Sequence, residues 1–151
     1  MNLVVPNAIF FSHVCSLLED GKTVTFEVKG ASMRPFIEGG RDSVCLKKEE
    51  FEVGDAVLAQ LPAGNYVLHR VKSIDADEVT LKGDGNLEGV EKCSAGSVKG
   101  KVLQIIKAGG RTVDVSKPSF RRKVRRWTRA PYIYRRIVLS ILRRWRGIMS
   151  R

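Results

Sequence analysis

The pattern of apolar and polar positions divides the first 116 residues into one helix followed by a series of strands. Apolar side chains recur at helical spacing between residues 8 and 18, which predicts an N-terminal helix that ends before Gly21. Residues 23–28 then alternate in the way that a half-buried strand does. The same signals predict further strands and a hairpin at residues 44–46, 56–59, 66–71, 71–81, 98–107 and 112–115.

The order of these elements indicates the fold class. Because the strand patterns follow one another without βαβ alternation, the sequence predicts a mainly β domain rather than a doubly wound parallel sheet. The apolar residues of the N-terminal helix share one face, as in a helix that packs on a core. They are Phe10, Phe11, Val14, Leu17 and Leu18.

A second helical pattern lies near the end of the sequence. Between residues 133 and 148, seven apolar residues fall on one face, and Arg135, Arg136, Arg143 and Arg146 fall on the opposite face. The apolar face consists of Ile133, Ile137, Val138, Ile141, Leu142, Trp145 and Ile148. Pro131 separates this segment from a first basic segment at residues 120–129. The pattern predicts a basic amphipathic helix that is too charged to cross a bilayer.

The distribution of charge divides the chain at Lys117. Residues 1–116 hold fourteen Lys/Arg and all sixteen Asp/Glu, whereas residues 117–151 hold thirteen Lys/Arg and no acidic residue. The body therefore carries a charge of −2 and the tail +13, which together give the net charge of +11. We expect a β-rich domain over residues 1–116 and a basic C-terminal helical tail over residues 117–151.

The basic tail has three interpretations. A helix at a membrane surface would bury its Ile/Leu/Trp face at the acyl boundary while its arginines meet anionic lipid phosphates. A nucleic-acid arm would place the same charges on backbone phosphates. The apolar face would otherwise pack on the body or on a partner. We favour an anionic membrane surface, because a nucleic-acid arm needs no continuous aliphatic stripe and the sequence contains no nucleic-acid recognition motif.

Two further features bear on cellular location. The apolar run at residues 8–18 lacks a basic start and a small-residue cleavage site, and polar residues interrupt it, so we expect neither a secretory signal nor a membrane span. The sequence has an odd number of cysteines and no CxxC motif; the cysteines are Cys15, Cys45 and Cys93. Such cysteines are typical of reduced thiols rather than of disulfides or a metal site. We expect a cytoplasmic protein that attaches peripherally to the inner membrane surface.

The candidate chemistry starts at Ser32, which lies in the segment Gly30-Ala31-Ser32-Met33-Arg34-Pro35. Gly30 ends the preceding strand, and Pro35 prevents the strand from resuming at once. Ser32 should therefore lie at a strand end where backbone can approach a ligand, with Met33 packed beneath it and Arg34 exposed. Serine near glycine and proline is also ordinary turn chemistry, so this segment alone does not identify a nucleophile.

Three later segments support a catalytic interpretation of Ser32. Together with the serine segment, they resemble in order and spacing the signal peptidase and LexA-like serine peptidase superfamily, over residues 23–106. The four matching segments are Ser32–Pro35, Val53–Val57, Tyr66–Val71 and Leu81–Asn86. His69 is followed by Arg70, as in the histidine-type signal peptidases, whereas the bacterial enzymes have a lysine at this place. The resemblance implies a β-rich signal-peptidase-like fold.

The resemblance also implies roles for individual residues. Ser32 would be the nucleophile and His69 the general base, since a neutral imidazole can accept the serine proton. Asp84, in the turn Gly83-Asp84-Gly85-Asn86, would fix the tautomer of His69, although it could equally serve only to shape the turn. Some signal peptidases have a hydroxyl residue two positions before the nucleophile. Gly30 occupies that place here, so the oxyanion hole would consist of backbone N–H groups.

We therefore expect a serine endopeptidase of the signal-peptidase-like type that cleaves an extended peptide or precursor by a Ser–His mechanism, without a metal or cofactor. The resemblance further implies that the substrate adds as a strand beside the strand before Ser32, with small side chains near the cut. The alternative is a non-catalytic peptide-binding or membrane-recruited module on the same fold. A LexA-type self-cleaving regulator is less consistent with the sequence, because no helix-turn-helix precedes the domain and position 69 is not a lysine.

Overall fold

A computed structural model describes residues 7–149, with side chains from residue 8 to residue 148. The protein is a mainly β domain with one N-terminal and two C-terminal helices, which confirms the expected fold class. The helices are α1 (Asn7–Glu19), α2 (Pro118–Arg129) and α3 (Tyr132–Met149). The strands are β1 (Val24–Glu27), β2 (Ser43–Lys47), β3 (Ala56–Gln60), β4 (Tyr66–Asp75), β5 (Glu78–Lys82), β6 (Glu91–Ser94), β7 (Val98–Ile106) and β8 (Thr112–Asp114).

All the described strands belong to one antiparallel sheet. Its order is β1-β2-β7-β3-β4-β5-β6, and β8 pairs with the end of β7. The long strand β7 therefore connects the first hairpin-like pair to the β3–β6 meander. The strand β6 was not expected from the sequence. Its residues Glu91-Lys92-Cys93-Ser94 contain only one buried side chain, so they carry no apolar alternation.

Two apolar clusters form the core. The larger cluster joins α1 to strands β1, β2, β3 and β7 and to the loop after β1, whereas the smaller one lies among β3 to β7. The expected helix α1 contributes Val14 and Leu18 as fully covered side chains, and Phe10 and Phe11 pack at the margin of the core. Leu17 was expected on the same face but is exposed. Removing apolar side chains from water in this way supplies most of the driving force for folding.

Helix α2 packs against the β-rich body. Val124 and Trp127 are buried, and the ring of Phe120 contacts that of Phe36 with 5.6 Å between their centroids. Arg121 donates hydrogen bonds to Glu52 at 2.6 Å and to Asp55 at 3.3 Å. The change in composition at Lys117 thus precedes a helix that packs on the body. The division into two domains stays a prediction.

Helix α3 has its apolar stripe turned outward. Five of the predicted apolar residues, Ile133, Ile137, Ile141, Trp145 and Ile148, are between 50% and 71% exposed. An arginine from the charged side faces inward instead: Arg146 Nε lies 2.9 Å from Glu38 Oε1, and Arg146 Nη2 donates to the carbonyl of Gly39 at 3.1 Å. Among the described helices, none is both long and apolar enough to cross a membrane.

Candidate active site

Ser32 lies in a compact loop that follows β1. The backbone beyond β1 stays paired with the start of β2, because Val28 N–H donates to the carbonyl of Asp42 at 2.9 Å. The loop then turns back on itself, and Met33 inserts into the core with 2% of its surface exposed. Met33 therefore lies beneath the serine as expected. Arg34 was expected to be exposed but is half-buried, since it forms a bidentate ion pair with Glu38.

The serine loop rests directly on the turn at residues 83–86. Gly85 N–H donates a hydrogen bond to the carbonyl of Ser32 at 2.8 Å. A Cβ atom at Gly83 would lie 2.5 Å from the Ser32 carbonyl oxygen, and one at Gly85 would lie 2.5 Å from that of Ala31. Only glycine permits two backbones to approach this closely. The Gly-Asp-Gly sequence is thus explained by contact with the loop that carries Ser32.

A buried ion pair between Arg70 and Asp84 holds this turn in place. Arg70 Nε donates to both carboxylate oxygens of Asp84, at 2.8 and 3.0 Å, and Arg70 Nη2 donates at 2.7 Å. Only 7% of the Arg70 side chain and 1% of the Asp84 side chain are exposed. Arg70 Nη1 also donates to the carbonyl of Gly54, and Trp127 Nε1 donates to that of Asp84, at 2.7 and 2.8 Å. The pair therefore lies where four parts of the fold meet: β4, the segment before β3, the turn and α2.

The carboxylate that contacts His69 is Glu91, in the unexpected strand β6. His69 Nδ1 lies 3.1 Å from Glu91 Oε2, and the imidazole is buried while the carboxylate is partly exposed. Asp84 was predicted to hold the tautomer of His69, but its carboxylate is engaged by Arg70 instead. The sequence offered no signal for Glu91, because this contact depends on the pairing of β6 with β5, in which Glu91 lies opposite Leu81.

Ser32 and His69 line the same cleft, which has a volume of about 570 Å³. Phe10, Phe11 and Phe26 form one part of its wall, and Tyr66 to Leu68 form another. The structure gives no hydrogen bond between the Ser32 hydroxyl and the His69 ring. Catalytic hydrogen bonds are often long before substrate binds, so the shared cleft is the informative observation. The structure therefore brings together two of the three predicted site residues.

Two strand edges border this cleft. Among the described residues, strand β1 pairs only with β2, so its other edge has no described partner along Val24–Glu27. Residues 66–69 of β4 pair with β3 on one side, whereas pairing with β5 begins only at Arg70. Unpaired edges of this kind offer backbone N–H and C=O groups to an added strand. The cleft can thus accept an extended peptide through main-chain hydrogen bonds.

The backbone at Ser32 provides a candidate oxyanion donor. In the described part of the chain, the Ser32 N–H has no hydrogen-bond acceptor, although its carbonyl is bound by Gly85. A free amide at the nucleophile is the group that stabilises the oxyanion in acyl-transfer enzymes. Gly30, which replaces the hydroxyl residue of some signal peptidases, has a φ of 83° and contributes no side-chain donor.

Two titratable side chains in or near the wall of the cleft stay neutral near pH 7. Burial raises the pKa of the Cys15 thiol, and burial together with the neighbouring Cys15 raises the pKa of the Tyr66 hydroxyl. The cleft also has charged groups in its lining, because Glu27 and Lys29 lie beside the aromatic side chains.

The remaining aspartates near the site have structural roles. Asp42 accepts a hydrogen bond from the Glu38 amide at 2.8 Å and pairs with Lys107 at 3.0 Å. Asp55 accepts from the Glu52 amide at 2.9 Å and pairs with Arg121. Neither contacts His69, and the described residues include no group of three His, Cys, Asp or Glu side chains that could hold a metal ion.

Comparison of the chain with protein-family models gives no match, and comparison with curated proteins gives none either. These comparisons do not connect the chain to the signal peptidase and LexA-like superfamily. The fold and the geometry of the cleft are therefore the basis for any functional assignment.

The buried ion pair predicts a large loss of stability in Asp84→Ala. Removing the carboxylate leaves the Arg70 guanidinium buried without its counter-charge, which costs about 3–5 kcal/mol in comparable cases. Urea unfolding monitored by circular dichroism measures the change. The matched control is Glu78→Ala, which removes an exposed carboxylate 3.3 Å from Lys92 and should cost about 1 kcal/mol or less. Equal losses in the two variants would show that the Arg70–Asp84 pair does not hold the site together.

Proposed function

We propose that the protein is a serine endopeptidase of the signal-peptidase-like type, with Ser32 as nucleophile and His69 as general base. One observation carries the proposal: Ser32 and His69 line one cleft, and the Glu91 carboxylate lies 3.1 Å from Nδ1 of the imidazole. This combination of nucleophile, base and orienting carboxylate is recognised by geometry and recurs on unrelated folds. The order of the sequence segments that resemble this superfamily adds independent support.

The reaction follows from this arrangement. Ser32 Oγ would attack the peptide carbonyl carbon while His69 Nε2 takes the hydroxyl proton. Glu91 would accept the Nδ1–H and stabilise the imidazolium, and the Ser32 amide would donate to the developing oxyanion. Proton transfer from the imidazolium to the leaving amine breaks the peptide bond and gives an acyl-enzyme. Water, deprotonated by the same imidazole, then hydrolyses the ester and restores Ser32.

The substrate proposed for this site is an extended peptide segment. It would lie between the open edge of β1 and residues 66–69 of β4, with main-chain hydrogen bonds supplying affinity. The resemblance adds small side chains near the cut. A non-catalytic module that binds peptides in the same cleft is the alternative, and a self-cleaving regulator is a further one. The non-catalytic module would bind peptides without cleaving them. The self-cleaving regulator would cleave its own chain.

The dyad predicts that Ser32→Ala and His69→Ala each abolish cleavage without unfolding the domain. Because nucleophile and base act as a unit, the double variant should be little slower than either single variant. Cleavage of a library of extended peptides, with mass spectrometry of the products, measures this, and circular dichroism checks folding. Full cleavage by folded Ser32→Ala would exclude the proposed nucleophile. Absence of cleavage by the wild type together with peptide binding would favour the non-catalytic module.

The contact between Glu91 and His69 predicts that Glu91→Gln lowers kcat while the protein stays folded. The amide keeps the shape of the side chain but lacks the charge that stabilises the imidazolium, and loss of an orienting carboxylate costs up to about 10⁴-fold in other serine peptidases. Steady-state kinetics against the peptide found above measure the effect. Glu88→Gln, which changes an exposed carboxylate three residues away, is the control and should match the wild type. Equal kcat values in the two variants would remove Glu91 from the mechanism.

The exposed face of α3 supports peripheral attachment to an anionic membrane surface. The outward stripe of isoleucines and Trp145 is continuous along the helix, and the tail contains thirteen basic residues and no acidic one. Burying such a stripe at the acyl boundary while arginines reach lipid phosphates is the usual binding mode of an interfacial helix. With three cysteines that form no disulfide, these features support a cytoplasmic enzyme at the inner membrane surface.

Membrane attachment predicts that the double variant Ile141→Asp/Trp145→Asp no longer co-sediments with phosphatidylglycerol vesicles. The wild type should bind these vesicles and not phosphatidylcholine vesicles, since each basic residue near an anionic surface contributes about 1 kcal/mol. Ile74→Asp/Val90→Asp is the matched control, because both residues are exposed but lie outside the tail. This control should bind as the wild type does. Undiminished binding of the α3 variant at high salt would contradict membrane attachment, and a salt-sensitive gel shift would favour nucleic acid.

A further inference from the structure

A second cavity lies on the other side of the turn at residues 83–86, between the sheet and the C-terminal helices. Its volume is about 450 Å³. Strands β4 and β5 form one wall, and α2 with the first turn of α3 forms the other. Ser32 and His69 do not line this cavity, so its contents are independent of the proposed dyad.

The cavity is strongly cationic. Six basic side chains line it: Arg70, which pairs with Asp84, and five others, namely Lys72, Lys82, Arg125, Arg129 and Arg135. Asp84 is the acidic residue in its wall, and the hydrogen bonds of Arg70 occupy that carboxylate. The nearby Glu88 is exposed and acts on Lys82 from outside the cavity lining. The cavity wall therefore offers no free acidic side chain to neutralise these positive charges.

Arg135 shows most directly that an acceptor is missing. Its Nε atom is buried and has no hydrogen-bond partner among the described residues. Leaving a buried charged donor unpaired is costly, and native structures rarely do so. Lys82 has an acceptor, the Leu87 carbonyl at 3.3 Å, but burial, and then Arg135 and Lys72, lower the pKa of its ammonium group while Glu88 raises it. Both groups would be stabilised by an anion in the cavity.

We propose that this cavity is a binding site for a phosphate group. Five cations favour a multiply charged anion over a single carboxylate, and guanidinium groups match phosphate oxygens through paired hydrogen bonds. The volume exceeds that of one phosphate, so the cavity has room for a larger phosphorylated molecule. Phosphate occurs both in an anionic lipid headgroup and in a soluble phosphorylated molecule. In the lipid headgroup it is a diester, whereas in the soluble molecule it is a monoester.

Calorimetric titration with inorganic pyrophosphate tests the site in the full chain. The wild type should bind, and Arg135→Gln and Lys82→Gln should each weaken binding about tenfold or more, as expected for loss of a charge-assisted hydrogen bond. Arg136→Gln and Lys123→Gln are the matched controls, because both remove exposed charges from the same helices without touching the cavity. These controls should bind pyrophosphate as the wild type does.

A direct measurement does not depend on any variant folding. The Nε–H resonance of Arg135 should shift on addition of pyrophosphate in the NMR spectrum of the wild type. Competition then separates the sources: displacement by glycerophosphoglycerol indicates a lipid headgroup, and displacement by glycerol 3-phosphate indicates a soluble monoester. Absence of pyrophosphate binding, an unmoved Arg135 resonance, or equal weakening by Arg135→Gln and Arg136→Gln would overturn the proposal. Because binding is measured without cleavage, its failure is distinct from failure of the peptidase assignment.

Discussion

The buried ion pair of Arg70 and Asp84 is the interaction on which the arrangement of the site depends. It connects β4 to the turn that supports the Ser32 loop, and through backbone carbonyls it also reaches Gly54 and Trp127. Replacing a buried ion pair with apolar residues is often neutral or stabilising, so the pair is weak evidence for stability in itself. Its importance is geometric, because the guanidinium has a fixed set of donors that are satisfied only when β4, the turn and the segment at Gly54 are in register.

Two adjacent residues of β4, His69 and Arg70, contact different parts of the site. Side chains alternate between the faces of a strand, so His69 lines the cleft while Arg70 lies beneath the turn. A single strand therefore positions the imidazole in the cleft and anchors the loop that presents Ser32. Arg70 therefore has a structural role next to His69. A shift of β4 by one residue would move His69 out of the cleft and Arg70 away from Asp84.

The sequence was informative where local pattern determines structure and uninformative where tertiary pairing does. Strand alternation predicted β1 to β5, β7 and β8, and helical spacing predicted α1 and α3. The short polar strand β6 was missed, and with it the carboxylate of Glu91. Asp84 was assigned to His69 on the basis of resemblance, but a Gly-Asp turn has the same sequence whether its carboxylate meets a histidine or an arginine. Only the fold shows that Arg70 is the partner.

The orientation of α3 determines which of its side chains face the body and which face solvent. Arg135 and Arg146 are eleven residues apart, which places them on the same side of a helix about three turns apart. Arg146 meets Glu38 and the Gly39 carbonyl, whereas Arg135 Nε meets no acceptor in the described residues. Fixing this charged side against the body turns the isoleucine stripe outward, where its exposure is unfavourable in water. Within the described residues, the helix thus leaves one unpaired donor on its inner side and one uncovered apolar face on its outer side.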